Sequence, residues 1–150
     1  MKLLVFHIGP ARYGLRLAGV KRVLPAVELK PLPLTPAYVA GLLDLHGAPV
    51  PVIDLAQAAG LAPSALRYDT RIVVVDHAAG GVGVRALGLL VERVQGVQEL
   101  DPALLADAGV RGAPFLGQVA SGAGGMLQLV EVEHLLPADV RALLFAQVCA

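Results

Sequence analysis

The sequence predicts a mostly β protein with a barrel architecture, and three observations support this. Hydrophobic residues make up 56% of the 150-residue chain and charged residues only 16%, so we expect a large buried core and not disorder. Seventeen glycines and eleven prolines break the chain into short apolar runs. Roughly eight to ten of these runs have the length and composition of strands, which is typical of a small barrel.

The first half predicts strands joined by tight connections. Pro31, Pro33 and Pro36 indicate a rigid loop that cannot be a central strand. Pro51, within residues 50–53, and Pro49 just before them place that strand at a sheet edge, and Gly47 ends the element before it. The predicted elements are strands at 2–8, 13–17, 20–29 and 50–53, with one or two turns of helix at 38–45.

The second half predicts more strands and the only longer helix. Asp54 is placed to cap a short helix that ends at Gly60, and Asp101-Pro102 starts a helical turn. The glycines at 122–125 predict a hairpin turn. The predicted elements are the helix at 55–59, strands at 70–76, 82–94, 115–120 and 126–132, and a C-terminal helix from Pro137 in which Val140, Leu143, Leu144 and Val148 recur at helical spacing.

The net charge of zero conceals an asymmetry along the chain. Residues 1–75 contain eight basic and four acidic side chains, whereas residues 76–150 contain four and eight. A strongly basic nucleic-acid binder is disfavoured, because its affinity needs clustered Lys and Arg. The opposed halves suggest instead that charge is placed for protein contacts.

The composition also predicts a cytoplasmic protein. Cys149 is the only cysteine, so no disulfide can form within the chain and a reducing compartment fits. The apolar start has no cleavage site of a signal peptide after it. Residues 112–130 form the longest uncharged stretch, but its glycines, Pro114 and polar residues are wrong for a membrane-spanning helix.

A search for catalytic or metal-binding residues suggests neither chemistry. No histidine has a second ligand at metal spacing, and no serine lies in a nucleophile elbow. We expect Asp54, Asp69 and Asp76 to act as caps or strand-end residues and not as an acidic cluster. The residues considered are His7, His46, His77, His134, Ser64, Ser121 and Cys149.

Two other functions for a small barrel stay open at this point. Five basic residues lie between positions 12 and 30, and small barrels bind oligonucleotides through basic grooves with aromatic platforms. The few aromatic residues are scattered, which argues against such a platform. A small-molecule-sensing module is the other alternative, since glycine-rich barrels can hold a ligand at their mouths.

Four motifs in order resemble the CheW family of chemotaxis coupling proteins, over roughly residues 2–147. The most distinctive is Gly-Leu-Leu-Asp-Leu-His-Gly at 41–47 followed by Pro-Val-Ile-Asp-Leu at 51–55. The family form has Asn-Leu-Arg-Gly where this chain has Asp44-Leu-His-Gly47. The other three motifs are the start at 4–24, the strand Gly-Leu-Leu-Val-Glu-Arg-Val at 88–94, and Gly-Met-Leu-Gln-Leu-Val at 125–130 with Leu135-Leu136.

The resemblance implies a specific architecture and function. CheW-like domains are two small SH3-like five-stranded β-barrels sharing a hydrophobic core, so residues 1–150 are expected to form one such domain of two barrel subdomains. They are non-catalytic, stand-alone adaptors without cofactor or metal. Their partners are the regulatory domain of a CheA-type histidine kinase and the cytoplasmic tip of a methyl-accepting chemoreceptor. The resemblance thus implies association with membrane receptor arrays through partners, without membrane insertion or nucleic-acid binding.

The resemblance also places an interface on the strand at 20–23 and the turn at 41–47. In the family, an acidic residue at position 22 commonly faces the arginine of Asn-Leu-Arg-Gly, whereas this chain has Arg22 and His46. If both are charged they repel, which suggests a specialised partner set such as a pathway for surface behaviour or second-messenger output. Periodicity leaves open whether Val20, Val23, Leu42 and Leu43 are exposed or core. The candidate interface residues are Val20, Arg22, Val23, Gly41, Leu42, Asp44, His46 and Gly47.

Overall fold

Nine strands dominate the computed structural model, which describes residues 1–64, 67–78, 84–107, 109, 114–122 and 125–145. The mostly β class is confirmed. The strands are β1 (Lys2–Ile8), β2 (Ala11–Arg16), β3 (Val20–Pro25), β4 (Val39–Leu45), β5 (Ala48–Asp54), β6 (Arg71–Ala78), β7 (Val84–Glu99), β8 (Leu116–Gly122) and β9 (Gly125–Val130). The helices are α1 (Leu55–Ala58) and α2 (Ala138–Leu144), with 3₁₀ turns at Leu17–Gly19, Pro102–Leu104 and Val132–His134.

The 16-residue strand β7 belongs to two five-stranded barrels. Its first part pairs with β6, from Ala78↔Val84 to Arg71↔Val91, and its last part pairs with β1, from His7↔Glu92 to Lys2↔Glu99. The first barrel contains β1, β2, β8, β9 and the end of β7. The second barrel contains β3, β4, β5, β6 and the start of β7. The chain therefore leaves the first barrel after β2 and returns to it within β7.

Each barrel closes through a short backbone contact outside the named strands. In the second barrel Lys30 and Leu42 exchange two backbone hydrogen bonds of 2.9 and 2.8 Å. In the first, Ala106 and Val119 exchange two of 2.9 Å. In the second barrel the segment after β3 reaches β4, and in the first barrel the segment after β7 reaches β8. These contacts turn two open sheets into barrels.

The core has three parts. Alternate side chains of β1 point to opposite faces, so Leu3 and Val5 fill the first barrel while Leu4 and Phe6 enter a larger cluster between the barrels. A third cluster, which includes Ile72, fills the second barrel. The expected shared hydrophobic core is therefore present as the cluster between the barrels, and α2 packs against it.

The predicted helix at 38–45 is wrong, because these residues form the strand β4. β4 pairs with β5 in antiparallel register from Val39↔Ile53 to Leu45↔Ala48. Its buried residues alternate with half-buried ones, which is the period of a strand, but the half-buried positions are also apolar. The alternation is therefore invisible in the sequence, and a short apolar run cannot be assigned to helix or strand by periodicity alone.

The prediction that β5 is an edge strand is also wrong. β5 lies between β4 and β7. It pairs with β7 in parallel at Val52, Ile53 and Asp54. Its prolines, Pro49 and Pro51, precede that paired part and face only β4. The missing N–H groups therefore fall where β5 has a single neighbour, so the prolines are compatible with an internal strand.

The local signals for caps and turns are confirmed. The Asp54 side chain accepts a hydrogen bond from the Ala56 N–H at the start of α1, and Asp101 does the same for Ala103 at its 3₁₀ turn. β8 and β9 pair as a hairpin from Leu116↔Val130 to Gly122↔Gly125. Pro137 is the residue before α2, as its fixed φ favours. Val148, predicted to continue that helix, lies outside the described residues.

The charge asymmetry between the chain halves disappears in the fold. The segment from residue 17 to 91, which builds the second barrel, contains six basic and five acidic side chains. The remainder, which builds the first barrel, contains six basic and seven acidic ones. Because the chain interleaves between the barrels, its two halves are not two oppositely charged faces.

His77, on β6, is fully buried and stacks on Phe145 just after α2, with ring centroids 5.7 Å apart. Neither ring nitrogen makes a hydrogen bond of normal geometry among the described residues. Burial lowers the pKa of His77 and the Arg141 cation acts in the same direction, against the opposing effects of Glu133 and of the Val132 backbone. The folded protein therefore favours the neutral imidazole.

We expect the stability of the protein to fall in mild acid because of His77. A histidine in the unfolded chain titrates near pH 6.5, whereas the pKa of His77 in the folded protein is lower. The contribution of neutral His77 to the free energy of unfolding is therefore complete above about pH 6.5, and it is lost as the pH falls toward the folded pKa. The free energy of unfolding, measured by denaturant titration between pH 7.5 and 5, reports it. His77→Leu should flatten this dependence, whereas the same change at exposed His134 should not; an unchanged slope in His77→Leu would refute the assignment.

Candidate protein-interaction surface

Strand β3 presents most of its side chains to solvent, and β6 is its only partner among the described strands. Arg22 is exposed, Val23 is 42% exposed and Val20 is half-buried. Lys21 forms an ion pair of 3.1 Å with Asp76 of β6. The strand thus exposes two cationic side chains and a valine, the residue types of a protein contact surface, on its two faces.

The turn between β4 and β5 holds His46 in a defined position. Leu45 pairs with Ala48, so the hairpin loop consists of His46 and Gly47. Both have positive φ, 51° and 87°, as a type I′ turn requires. The Asp44 carboxylate accepts a hydrogen bond of 2.8 Å from the Gly47 N–H. The side chain at 44 therefore stabilises the turn that displays the imidazole.

The structure brings Arg22 and His46 together across the two elements. Their side chains are joined at 3.2 Å between the Arg22 Nη1 and the His46 Nε2 atoms. Arginine can only donate, so Nε2 is placed as the acceptor in this contact. The two side chains that would repel if both were charged therefore lie within hydrogen-bond distance of each other. We name this contact the β3–turn surface; Val23, the next residue of β3, points to the opposite face of the sheet.

The candidate interface residues on β4 are in part exposed and in part buried. Leu42 is half-buried and Leu43 is 4% exposed, so Leu43 belongs to the core of the second barrel. Gly41 is buried with φ 148°, and a Cβ atom there would lie 2.6 Å from the Lys30 carbonyl oxygen. Gly41 thus permits the backbone contact that closes the second barrel, and it supports the β3–turn surface from inside.

Two features of this region were not found from the sequence. Lys30 closes the barrel through its backbone, a role that no side-chain pattern reveals. Leu34 is 99% exposed with φ 62°, in the proline-rich loop where Thr35 donates a 2.7 Å hydrogen bond to the Leu32 carbonyl oxygen. Leucine is unfavourable in this conformation, so nothing in the sequence indicates it. The three prolines indicate only the rigidity of the loop.

Metal binding and membrane crossing can be assessed for the described part of the chain. Within it, no three His, Cys, Asp or Glu side chains are grouped so that they could hold a metal ion. None of its helices is long and apolar enough to cross a membrane.

Comparison with protein families identifies the chain. The family model described as a CheW-like domain matches residues 2–140. The protein belongs to the CheW family. Its resemblance to that family, inferred from four motifs, is confirmed over nearly the whole chain.

Individual relatives agree with this assignment. The chain is 26% identical over 149 residues to the chemotaxis protein CheW of Rhizobium meliloti (strain 1021), covering 93% of this chain and 90% of that protein. It is 33% identical over 135 residues to the protein FrzA of Myxococcus xanthus, covering 87% and 82%. The crystal structure of the scaffolding protein TtCheW from Thermoanaerobacter tengcongensis matches with a TM-score of 0.81 and 26% identity, over 93% and 94% of the two chains.

These similarities identify the type of protein. CheW proteins are non-catalytic scaffolds of chemotaxis signalling, and the two expected SH3-like barrels are confirmed by the structural match. The interface residues expected from the resemblance remain a prediction. The structure adds that Arg22, Val23 and His46 are exposed, while Gly41 and the neighbouring Leu43 are buried.

Proposed function

We propose that residues 1–150 act as one CheW-like unit of two barrel subdomains, a non-catalytic adaptor that joins a CheA-type histidine kinase to chemoreceptors. Its partners are the regulatory domain of the kinase and the cytoplasmic tip of a methyl-accepting receptor. It works in the cytoplasm, at receptor arrays to which its partners hold it. The observation that supports this most strongly is the exposed strand β3, which carries the Arg22–His46 contact on one face and the exposed Val23 on the other.

Strand β3 should be tested as a contact element by placing a charge at Val23. Val23→Asp is expected to keep the fold, because Val23 is 42% exposed, and to abolish co-purification of the kinase or receptor from the organism's own cells. The matched control is Val97→Asp, at a valine of the first barrel that is 57% exposed. Normal co-purification with Val23→Asp, or loss of it with both variants, would exclude β3 as the contact surface.

We further propose that the adaptor serves a specialised pathway, such as surface behaviour or second-messenger synthesis. The support is the Arg22–His46 contact, which replaces the acid–arginine pair that the family resemblance leads us to expect. Interface charges select partners by rejecting wrong ones, so this change favours a different partner set. Expression in a strain that lacks its general chemotaxis coupler tests it: swimming should not be restored, and full restoration would refute the specialised pathway.

A further inference from the structure

The helix α2 is docked on the protein by apolar packing. Its seven residues follow Pro137 without a side-chain cap. Val140 and Phe145, the residue after the helix, are buried in the core between the barrels, and Leu144 packs against that core. Within the described part of the chain, no hydrogen bond or ion pair joins residues 138–145 to another element. A helix this short is not stable on its own, so α2 depends on these contacts.

His77 contacts this segment through its ring. It is fully buried on β6, and its ring stacks on Phe145 with the centroids 5.7 Å apart. Among the described residues, neither ring nitrogen makes a hydrogen bond of normal geometry. A neutral imidazole can be packed in this way, whereas an imidazolium would be a buried cation without a firm acceptor. The packing of Phe145 on this ring therefore favours the neutral form.

The charged groups around His77 do not compensate for a proton on its ring. Glu133 and the Val132 backbone, in the 3₁₀ turn before α2, favour the charged form, but Glu133 is exposed and water screens its attraction. Arg141 of α2 disfavours the charged form, and Arg85, opposite His77 on β7, is a further exposed cation. The next titratable groups along β6, the turn and α2 are paired elsewhere or exposed, namely Asp76, His134 and Asp139.

We propose that protonation of His77 releases α2 from the core between the barrels while both barrels stay folded, which makes α2 an acid-sensitive cover. This inference does not depend on the proposed adaptor function. Release brings the imidazolium into water and takes Arg141 away from it, whereas Glu133 precedes the helix and need not leave. The strands are paired through backbone hydrogen bonds in which α2 takes no part, so the barrels do not need the helix to keep their pairing.

An open groove beside α2 gives water a route to this part of the core. The groove has a volume of about 650 Å³, and Tyr38, Phe115, Leu136 and Arg141 are among the residues that line it. Phe115 and Leu136 also belong to the core cluster that α2 covers. Departure of the helix would therefore deepen an existing groove and would not require a new opening between the barrels.

Native-state hydrogen exchange of the full chain, followed by mass spectrometry at pH 7.5 and 5.5, tests the proposal. Protection factors remove the intrinsic pH dependence of exchange. If His77 in the released state titrates near pH 6.5 and the docked state takes up no proton, release becomes about tenfold more frequent over this range. We expect the protection of residues 138–145 to lie below that of β6 at both pH values, and to fall by up to about tenfold in acid.

The variant His77→Phe keeps an aromatic ring against Phe145 and removes the titration. Its protection over residues 138–145 should be the same at both pH values within about twofold. The matched control is His134→Phe, at an exposed histidine in the turn before α2, which should keep the fall seen in the unaltered chain.

Three results would overturn the proposal. Equal protection of residues 138–145 and of β6 at pH 5.5 would mean that α2 leaves only when the whole molecule unfolds. A change in the protection of α2 of less than about twofold between the two pH values would mean that protonation and release are not coupled. A fall that persists in His77→Phe would assign the effect to another group. The first two comparisons use the unaltered chain, so they decide the matter even if His77→Phe does not fold.

Discussion

Replacing Gly41 with alanine is expected to lower the free energy of unfolding by roughly 3 kcal/mol. The new Cβ atom would lie 2.6 Å from the Lys30 carbonyl oxygen and 3.0 Å from the Leu29 Cβ atom. Because the closer of these is a backbone atom, relief requires Lys30 to move away from Leu42, and their paired hydrogen bonds close the second barrel. Denaturant titration of the purified variant measures the loss.

Gly47→Ala separates the close contact from the backbone conformation. Gly47 also has positive φ, 87°, but a Cβ atom there would have no other atom within 4 Å. Its substitution should therefore cost only the conformational strain, roughly 1 kcal/mol. If the two variants lose equal stability, the contact with Lys30 is not what requires glycine at position 41.

The second large effect is expected at Asp54, where alanine should cost roughly 3–4 kcal/mol. The carboxylate is only 2% exposed and accepts four hydrogen bonds. Two come from the backbone N–H groups of Ala56 and Ser64, and two from the side chains of Gln57 and Ser64. Removing it leaves buried donors without an acceptor and frees the segment after α1. Thermal and denaturant unfolding of Asp54→Ala check the prediction.

Asp101 provides the matched control, since it caps its 3₁₀ turn with the same geometry at the surface. Its side chain accepts one hydrogen bond of 3.0 Å from the Ala103 N–H and is exposed. Asp101→Ala should cost about 1 kcal/mol, the ordinary value of a helix cap. Equal losses at the two sites would mean that burial and the Ser64 contacts add nothing to the role of Asp54.

Local features of the fold were predictable from the sequence because they depend on neighbouring residues. Asp54 caps α1 by accepting a hydrogen bond from the Ala56 N–H, two residues later. β8 ends at Gly122 and β9 begins at Gly125, on either side of the turn. The strand β4 was not predictable in this way. Its buried and half-buried positions are both apolar. Leu43 enters the core, whereas the half-buried Leu42 pairs through its backbone with Lys30. Only the tertiary pairing distinguishes that run from a helix.

The site was predictable in its elements but not in its chemistry. The family resemblance placed β3 and the β4–β5 turn in one interface, and the structure joins them through side chains 24 positions apart. The contact between Arg22 and His46 is a tertiary one that no sequence pattern specifies. Among the described strands β3 and β4 each have one partner, so the exposure of Val23 and the burial of Leu43 depend on which face of each strand packs on the core.

Strand β7 makes this protein a rigid spacer. Its backbone has a contour length of roughly 50 Å and passes from one barrel into the other without a linker. Just after β7 changes its partner from β6 to β1, the Arg93 side chain donates a 2.8 Å hydrogen bond to the Gly9 carbonyl oxygen, which follows β1. Two partners bound on different barrels would thus sit at one separation and one mutual angle. In a repeating assembly built through this protein, the length of that one strand would contribute a fixed part of the spacing between partners.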